Sequence, residues 1–216
     1  MVVGLGNYTG TIRPTFEVVK ADPKDQAIKA SATTAKFDYN KTSTVKVTGQ
    51  QTALKVTASG VAKATEKNGT ITISATKAGT GKVTVSAVAT DDYKASNTVT
   101  INVTAGKVAN AAKVAVAKGK TKKAATKVKA NKKKTVSGVI TVSGANGKVT
   151  LVNKSTNKVA KKFKLAYKNG KVNVTVPKNK VKKGKTYLLK VQVKAAGDAN
   201  HNAYDKTFNV YVKGNK

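Results

Sequence analysis

One segment pattern occurs three times in this chain. Asn7-Tyr8 leads to Thr15-Phe16-Glu17-Val18-Val19, Asp92-Tyr93 leads to Thr98-Val99-Thr100-Ile101-Asn102-Val103, and Asn200-His201 leads to Thr207-Phe208-Asn209-Val210-Tyr211-Val212. Each copy has a polar residue and a ring, a few turn residues, a Thr, and then alternating apolar positions. That is the pattern of a half-buried β-strand closing a module. A repeated unit constrains the architecture of the whole chain. Thr15 and Thr98 are 83 residues apart and Thr98 and Thr207 are 109 apart, so two complete units lie between three endings.

The spacing predicts two β domains, 21–105 and 106–216, each near the ~100 residues of a sandwich domain. Residues 1–20 are then the terminal strand of a preceding or completing unit, and Met1 starts a piece of a longer array. Hydrophobic residues make up 39% of the chain but aromatics only 5%, with no Trp, so the cores are expected to be small. Val, Thr and Ala dominate, and the first two favour pleated surfaces. Period-2 runs such as Val83, Val85 and Ala87, or Val172, Val174 and Val176, complete an all-β reading. Three Asn-Gly pairs, at 68–69, 146–147 and 169–170, sit between such runs and are expected to form hairpin turns, because Asn then Gly supplies two positive φ angles at low steric cost.

There are no cysteines, which excludes disulfides and thiolate metal sites. No apolar run approaches the ~18 residues of a membrane span, and no signal-peptide layout opens the chain. Membrane insertion is therefore not expected.

The net charge of +33 is unevenly divided. Residues 1–105 hold 13 Lys and Arg against 7 acids (+6), whereas residues 106–216 hold 29 Lys against 2 acids (+27). At low salt the second domain should adhere to polyanions. Arg13 is the only arginine. Guanidinium forks are the usual readers of guanine edges, and Lys is a hydrated point charge, so sequence-specific nucleic-acid recognition is not expected. The densest stretch holds Lys118, Lys120, Lys122, Lys123, Lys127, Lys129, Lys132, Lys133 and Lys134. Two readings apply to it: lysines guarding an edge strand against mispairing, or an anion-binding surface. Val114 and Val116 alternate and Gly119 follows, which favours a strand near 113–117 and then an extended basic stretch over a helix.

Reaction chemistry is largely excluded by enumeration. His201 is the only histidine and occupies the ring position of Tyr8 and Tyr93 in the other copies, which assigns it to packing near a turn rather than to catalysis. No nucleophile elbow is present, and Gly79-Thr80-Gly81-Lys82 lacks the spacing and the following helix of a phosphate loop. The nine acids are Glu17, Asp22, Asp25, Asp38, Glu66, Asp91, Asp92, Asp198 and Asp205. Two facing carboxylates of a glycosidase are not available in the second domain. A calcium site on Asp198, Asn200 and Asp205 is conceivable but opposed by the surrounding positive charge. A Lys–Asn isopeptide bond would need a buried acid, and Glu17, the one acid in an apolar alternation, is expected to face solvent. No catalytic residue, metal ligand or cofactor is assigned.

The segments Gly170-Lys171-Val172-Asn173-Val174-Thr175-Val176, Val181-Lys182-Lys183-Gly184-Lys185-Thr186-Tyr187 and Val191 to Asn200 resemble the Lys- and Val-rich Ig-like repeats of large surface proteins of gut bacteria. Residues 79–104 resemble the second half of a bacterial Ig-like group 2 domain, and residues 7–16 the end of another repeat. The resemblance covers about half of each complete domain and transfers no catalytic residue. It implies two tandem Ig-like β-sandwich domains in an extracellular, cell-wall-associated protein of a Gram-positive bacterium, acting as a monomeric stalk or adhesin module within a longer multidomain chain. The partners expected are an anionic polysaccharide or cell-wall polymer, or a host surface protein or glycan. The alternative is a specific carbohydrate- or protein-binding module lined by Tyr167, Tyr187, Tyr204 and Tyr211.

Overall fold

The computed structural model describes Gly6 and residues 15–215, together with the backbone of Val2–Val3 and Thr11–Ile12. Those two short strands, β1 (Val2–Val3) and β2 (Thr11–Ile12), pair antiparallel. Asn7-Tyr8 of the first strand ending lies outside the described residues.

Eight strands follow up to Gly106: β3 (Lys29–Ala30), β4 (Thr34–Asp38), β5 (Ser43–Thr48), β6 (Leu54–Gly60), β7 (Ala62–Lys67), β8 (Thr70–Ala75), β9 (Gly79–Ala87) and β10 (Val99–Gly106). They form two four-stranded sheets, β3-β5-β8-β7 and β4-β10-β9-β6. The remaining chain repeats this order with β11 (Lys113–Val116), β12 (Thr126–Lys129), β13 (Lys134–Ser143), β14 (Val149–Asn153), β15 (Lys164–Lys168), β16 (Lys171–Val176), β17 (Thr186–Ala195) and β18 (Tyr204–Asn215), in sheets β11-β13-β16-β15 and β12-β18-β17-β14. In both halves the opening strand is split. Its first part pairs antiparallel with one sheet, and its second part, β4 or β12, crosses over and lies parallel to the closing strand. This is the strand partition of an Ig-type sandwich, so the chain is all-β, with two tandem Ig-like β-sandwiches.

Alternation explains which side chains enter each core. Along β17 the odd-numbered Tyr187, Leu189, Val191, Val193 and Ala195 are buried while their neighbours are half-exposed. Ile71 and Ile73 of β8 and Val83, Val85 and Ala87 of β9 do the same in the first half. The buried residues fall into two separate clusters, one from Ile28 to Val103 and one from Val128 to Val212. Both are built mainly from Val and Ile, as the scarcity of aromatics required. Among the described residues only the second contains buried rings, Phe163 and Tyr187, which meet edge-on with centroids 6.5 Å apart.

Two of the three expected hairpins form. Asn68-Gly69 and Asn169-Gly170 have φ of 51° and 74°, and 47° and 72°, and close β7–β8 and β15–β16. The third expectation is overturned. Asn146-Gly147 joins β13 to β14, which lie in different sheets. Its residues anchor a crossover instead: Asn146 Oδ1 accepts from the Ala111 N–H at 2.9 Å, and the Asn146 N–H donates to Asn110 Oδ1 at 3.0 Å.

The first strand ending is also corrected. Residues 15–20 carry no strand, and Phe16, Val18 and Val19 are 86%, 83% and 74% exposed. An apolar alternation becomes a strand only where a sheet edge and a core face receive it. Among the described residues neither is supplied at this segment. The basic stretch 118–134 is not one extended run either. It leaves one sheet after β11, turns, and enters the other as β12, where Val128 is buried between exposed Lys127 and Lys129.

Candidate functional site

The second of the repeated strand endings builds the joint between the sandwiches, and the first holds the equivalent place where the chain enters the first sandwich. In the first half the Lys24 N–H donates to the Asp92 carbonyl at 2.8 Å and the Lys94 N–H to the Lys24 carbonyl at 2.9 Å, with Lys24 bridging Tyr93. In the second the Val108 N–H donates to the Asn200 carbonyl at 2.9 Å and the Asn202 N–H to the Val108 carbonyl at 2.8 Å, with Val108 bridging His201. Each ending thus receives the incoming chain of its own sandwich. The equivalence of Tyr93 and His201 read from the repeat is a structural one.

The His201 ending also reaches the first sandwich. Its ring meets Tyr39 edge-on with centroids 6.0 Å apart, and Asn200 Oδ1 accepts from the Ala78 N–H at 2.9 Å. Lys107 Nζ donates to the Asp198 carbonyl at 2.8 Å. Asp198 organises the turn: its Oδ1 accepts from the Asn200 and His201 N–H groups and lies 2.8 Å from His201 Nδ1. The hydrogen bond from the His201 side chain, and next the Asn200 N–H, hold its carboxyl below the ordinary value. His201 is therefore a packing residue of the joint.

The oxygens weighed for calcium are committed elsewhere. Asp205 pairs with Lys194 at 3.4 Å and accepts from Gln192 at 2.7 Å, away from the Asp198 turn. All nine acids are exposed, so neither core holds the carboxyl that isopeptide formation requires. Glu17 faces solvent as expected, though outside any strand.

The tyrosines do not form a platform. Tyr187 is a core residue, 8% exposed, whose hydroxyl accepts from the Lys182 N–H at 3.1 Å. Tyr167 lies on β15, in the opposite sheet from Tyr211 on β18. Tyr204 begins β18 with Lys206 Nζ 5.7 Å from its ring centroid. Parity along β18 points Tyr204 and Tyr211 to opposite faces. Sequence spacing could not separate a buried ring from an exposed one, because all four stand next to lysines or strand residues.

The lysines are distributed by the topology. All nine of the 118–134 stretch are exposed. Lys118 and Lys120, with Gly119 and Thr126, border a shallow hollow of ≈ 490 Å³. Lys127 and Lys129 flank Val128 on the edge strand β12, the position in which lysines discourage pairing with another edge. Lys132, Lys133 and Lys134 lie at the end of the sandwich opposite the joint. Segments 129–134 and 178–185 meet there: the Ala130 N–H donates to the Asn215 carbonyl at 3.0 Å, the Asn131 N–H to the Val181 carbonyl at 3.2 Å, and Lys183 bridges Gly214. Segment 158–164 joins them through Lys164, opposite Thr175 near the end of β16, and Phe163, whose ring meets Tyr187 beside Lys182. These three segments carry 13 of the domain's 29 lysines and no acid. Both acids of the domain, Asp198 and Asp205, stand at the joint end, in or just after the turn that contacts Tyr39. The second sandwich is thus polarised, with both of its acidic side chains at one end and a cationic pole at the other.

No family model matches the chain, and no curated protein matches it. Among solved structures it is similar to titin domains A168-A170 at 15% identity and TM-score 0.48, covering 87% of this chain and 66% of that one. It is also similar to the titin domains z1z2 in complex with telethonin at 11% identity and TM-score 0.47, covering 88% and 98%. Drosophila N-cadherin EC1-4 matches at 10% identity and TM-score 0.38, covering 88% of this chain and half of that one.

Proposed function

We propose that this chain is a non-enzymatic surface module, in which two Ig-like sandwiches act as a stalk and the second presents a cationic pole to an anionic polymer. The setting proposed is extracellular and cell-wall-associated, in a Gram-positive bacterium, and the polymer is a wall polyanion or an acidic host glycan. The observation that carries the reading is the charge polarity of the second sandwich: 13 lysines and no acid in the three segments at the pole, with the two acids at the joint. Contact through many lysines suits a long polyanion, because each ammonium is an independent point charge and the contacts add through effective concentration. A non-enzymatic role is supported by the exposed position of every acid and by the engagement of the lone histidine in the joint.

Retention of the protein on immobilised heparin and on a glycerol-phosphate polymer, followed across salt concentration, tests this. Binding should weaken steeply as salt rises, because counterions displaced from the polymer re-compete with the lysines. Retention unchanged between low and high salt would refute the electrostatic contact.

A further inference from the structure

Within the cationic pole, one place is built more closely than charge alone requires. Lys164 of β15 lies opposite Thr175 of β16, and Thr175 lies opposite Thr135 of β13, so the three form one row on the outer face of their sheet. Lys133, just before β13, and Lys178, just after β16, close the row on its pole side, with Pro177 between strand and lysine. Together these six residues line a hollow of ≈ 360 Å³.

We infer that this hollow is a binding subsite for one tetrahedral oxyanion, a phosphodiester or sulfate ester carried on the polymer of the proposed function. The inference rests on that proposed reading and goes beyond it by naming the site and the chemical group. Edge protection accounts for Lys164, on the edge strand β15, but not for the other residues of the hollow. Lys133 and Lys178 lie off any strand, and the two threonines stand on β13 and β16, the central strands of the sheet.

The floor supplies a donor. Thr135 Oγ1 and Thr175 Oγ1 are 2.9 Å apart. One hydroxyl hydrogen makes that bond, which leaves the other free to donate into the hollow. Three lysines from three separate stretches of chain line the walls. Lysine has no planar fork to match a carboxylate two-to-two, whereas several point charges converging from different sides suit a compact anion with several oxygens. No carboxylate side chain is available at the pole to neutralise these lysines, which leaves them to an incoming anion. The nearest sequence candidates for such a carboxylate, Asp198 and Asp205, are at the joint end.

The test compares three variants of the full chain. Lys133→Gln/Lys164→Gln/Lys178→Gln removes the walls. Thr135→Val/Thr175→Val removes both floor hydroxyls at unchanged charge. Lys113→Gln/Lys168→Gln/Lys171→Gln removes the same charge from the joint end of the same sheet. Each is measured on heparin, on a glycerol-phosphate polymer and on polyglutamate, with circular dichroism confirming the fold. The wall variant should bind the sulfated or the phosphodiester polymer about tenfold more weakly than its charge-matched control, and Thr135→Val/Thr175→Val several-fold more weakly than wild type. Neither should change polyglutamate binding beyond the control. The polymer on which the loss is larger identifies the source of the oxyanion. Equal binding by wall variant and control, or no effect of Thr135→Val/Thr175→Val on either ester polymer, overturns the subsite while leaving salt-sensitive wild-type binding intact. A wild type that binds no polyanion overturns the functional reading itself.

Discussion

Leu189→Ala is expected to unfold the second sandwich well below its normal midpoint while leaving the first close to wild type. Leu189 is fully buried at the middle of β17, within the core cluster of the second half. Removing three methylene-sized groups there costs about 2–5 kcal/mol, the lost transfer energy plus the cavity left behind. In a domain of this size each kcal/mol moves the midpoint by about 4–8 °C, so the drop should be at least about 8 °C. The two cores share no buried residue, and the joint adds only a ring contact and a few hydrogen bonds. Near-ultraviolet circular dichroism reads the second core through the Phe163–Tyr187 pair, and hydrogen exchange of β8 reads the first. Loss of protection in β8 together with the tyrosine signal would show that the halves unfold as one unit.

A comparably large loss is expected from Gly147→Ala, a change of one methyl group. A Cβ at this position would overlap the carbonyl of Gly197 and lie 2.8 Å from its N and C atoms, all of them backbone. The residue also has φ of +81°, which L side chains adopt only at a cost. Crowding and backbone strain together should remove about 3 kcal/mol. Gly184→Ala separates the two causes. Gly184 has φ of +74° with nothing within 4 Å of the added Cβ, so it should lose only about 1 kcal/mol. Urea denaturation of the two variants checks this, and equal losses would mean that the contact with the Gly197 loop contributes nothing.

The same glycine illustrates where sequence reading reaches its limit. An Asn-Gly pair between two apolar runs looks identical whether the runs pair with each other or belong to opposite sheets. Asn169-Gly170 turns a hairpin, while Asn146-Gly147 ties a crossover to Asn110 and to the Gly197 loop. Long strict alternations such as β17 and β18 were legible because burial of every second residue is written into them. β12 was not, since Val128 is the only fully buried residue among four and the lysines around it read as a solvated run. The first ending, at residues 15–19, had the pattern of a strand without receiving an edge.

The candidate site was legible only as a quantity of charge. The sequence count assigned it to the second half, and the nine lysines of 118–134 were the visible concentration. Lys164 and Lys178 are isolated from Lys133 along the chain, and strand register alone brings them to one hollow. The joint left still less trace. Tyr39 and Ala78 carry no motif, yet they are what His201 and Asn200 meet. Only the repeat itself, by placing His201 where the other copies have Tyr8 and Tyr93, pointed to a packing role.

The central claim is that the polymer meets the pole rather than the protein's overall charge. It is tested most directly by comparing two variants of equal net charge. One carries Lys→Gln changes at Lys129, Lys132, Lys161, Lys162, Lys182 and Lys183, all exposed at the pole, and the other at Lys113, Lys122, Lys148, Lys168, Lys171 and Lys206, all exposed elsewhere on the same sandwich. The measurement is the slope of log affinity for the glycerol-phosphate polymer against log salt. The pole variant should lose several units of slope, up to about one per contact removed, and the other less than about one unit. Equal losses in the two variants would contradict the account and reduce the binding to undirected net charge.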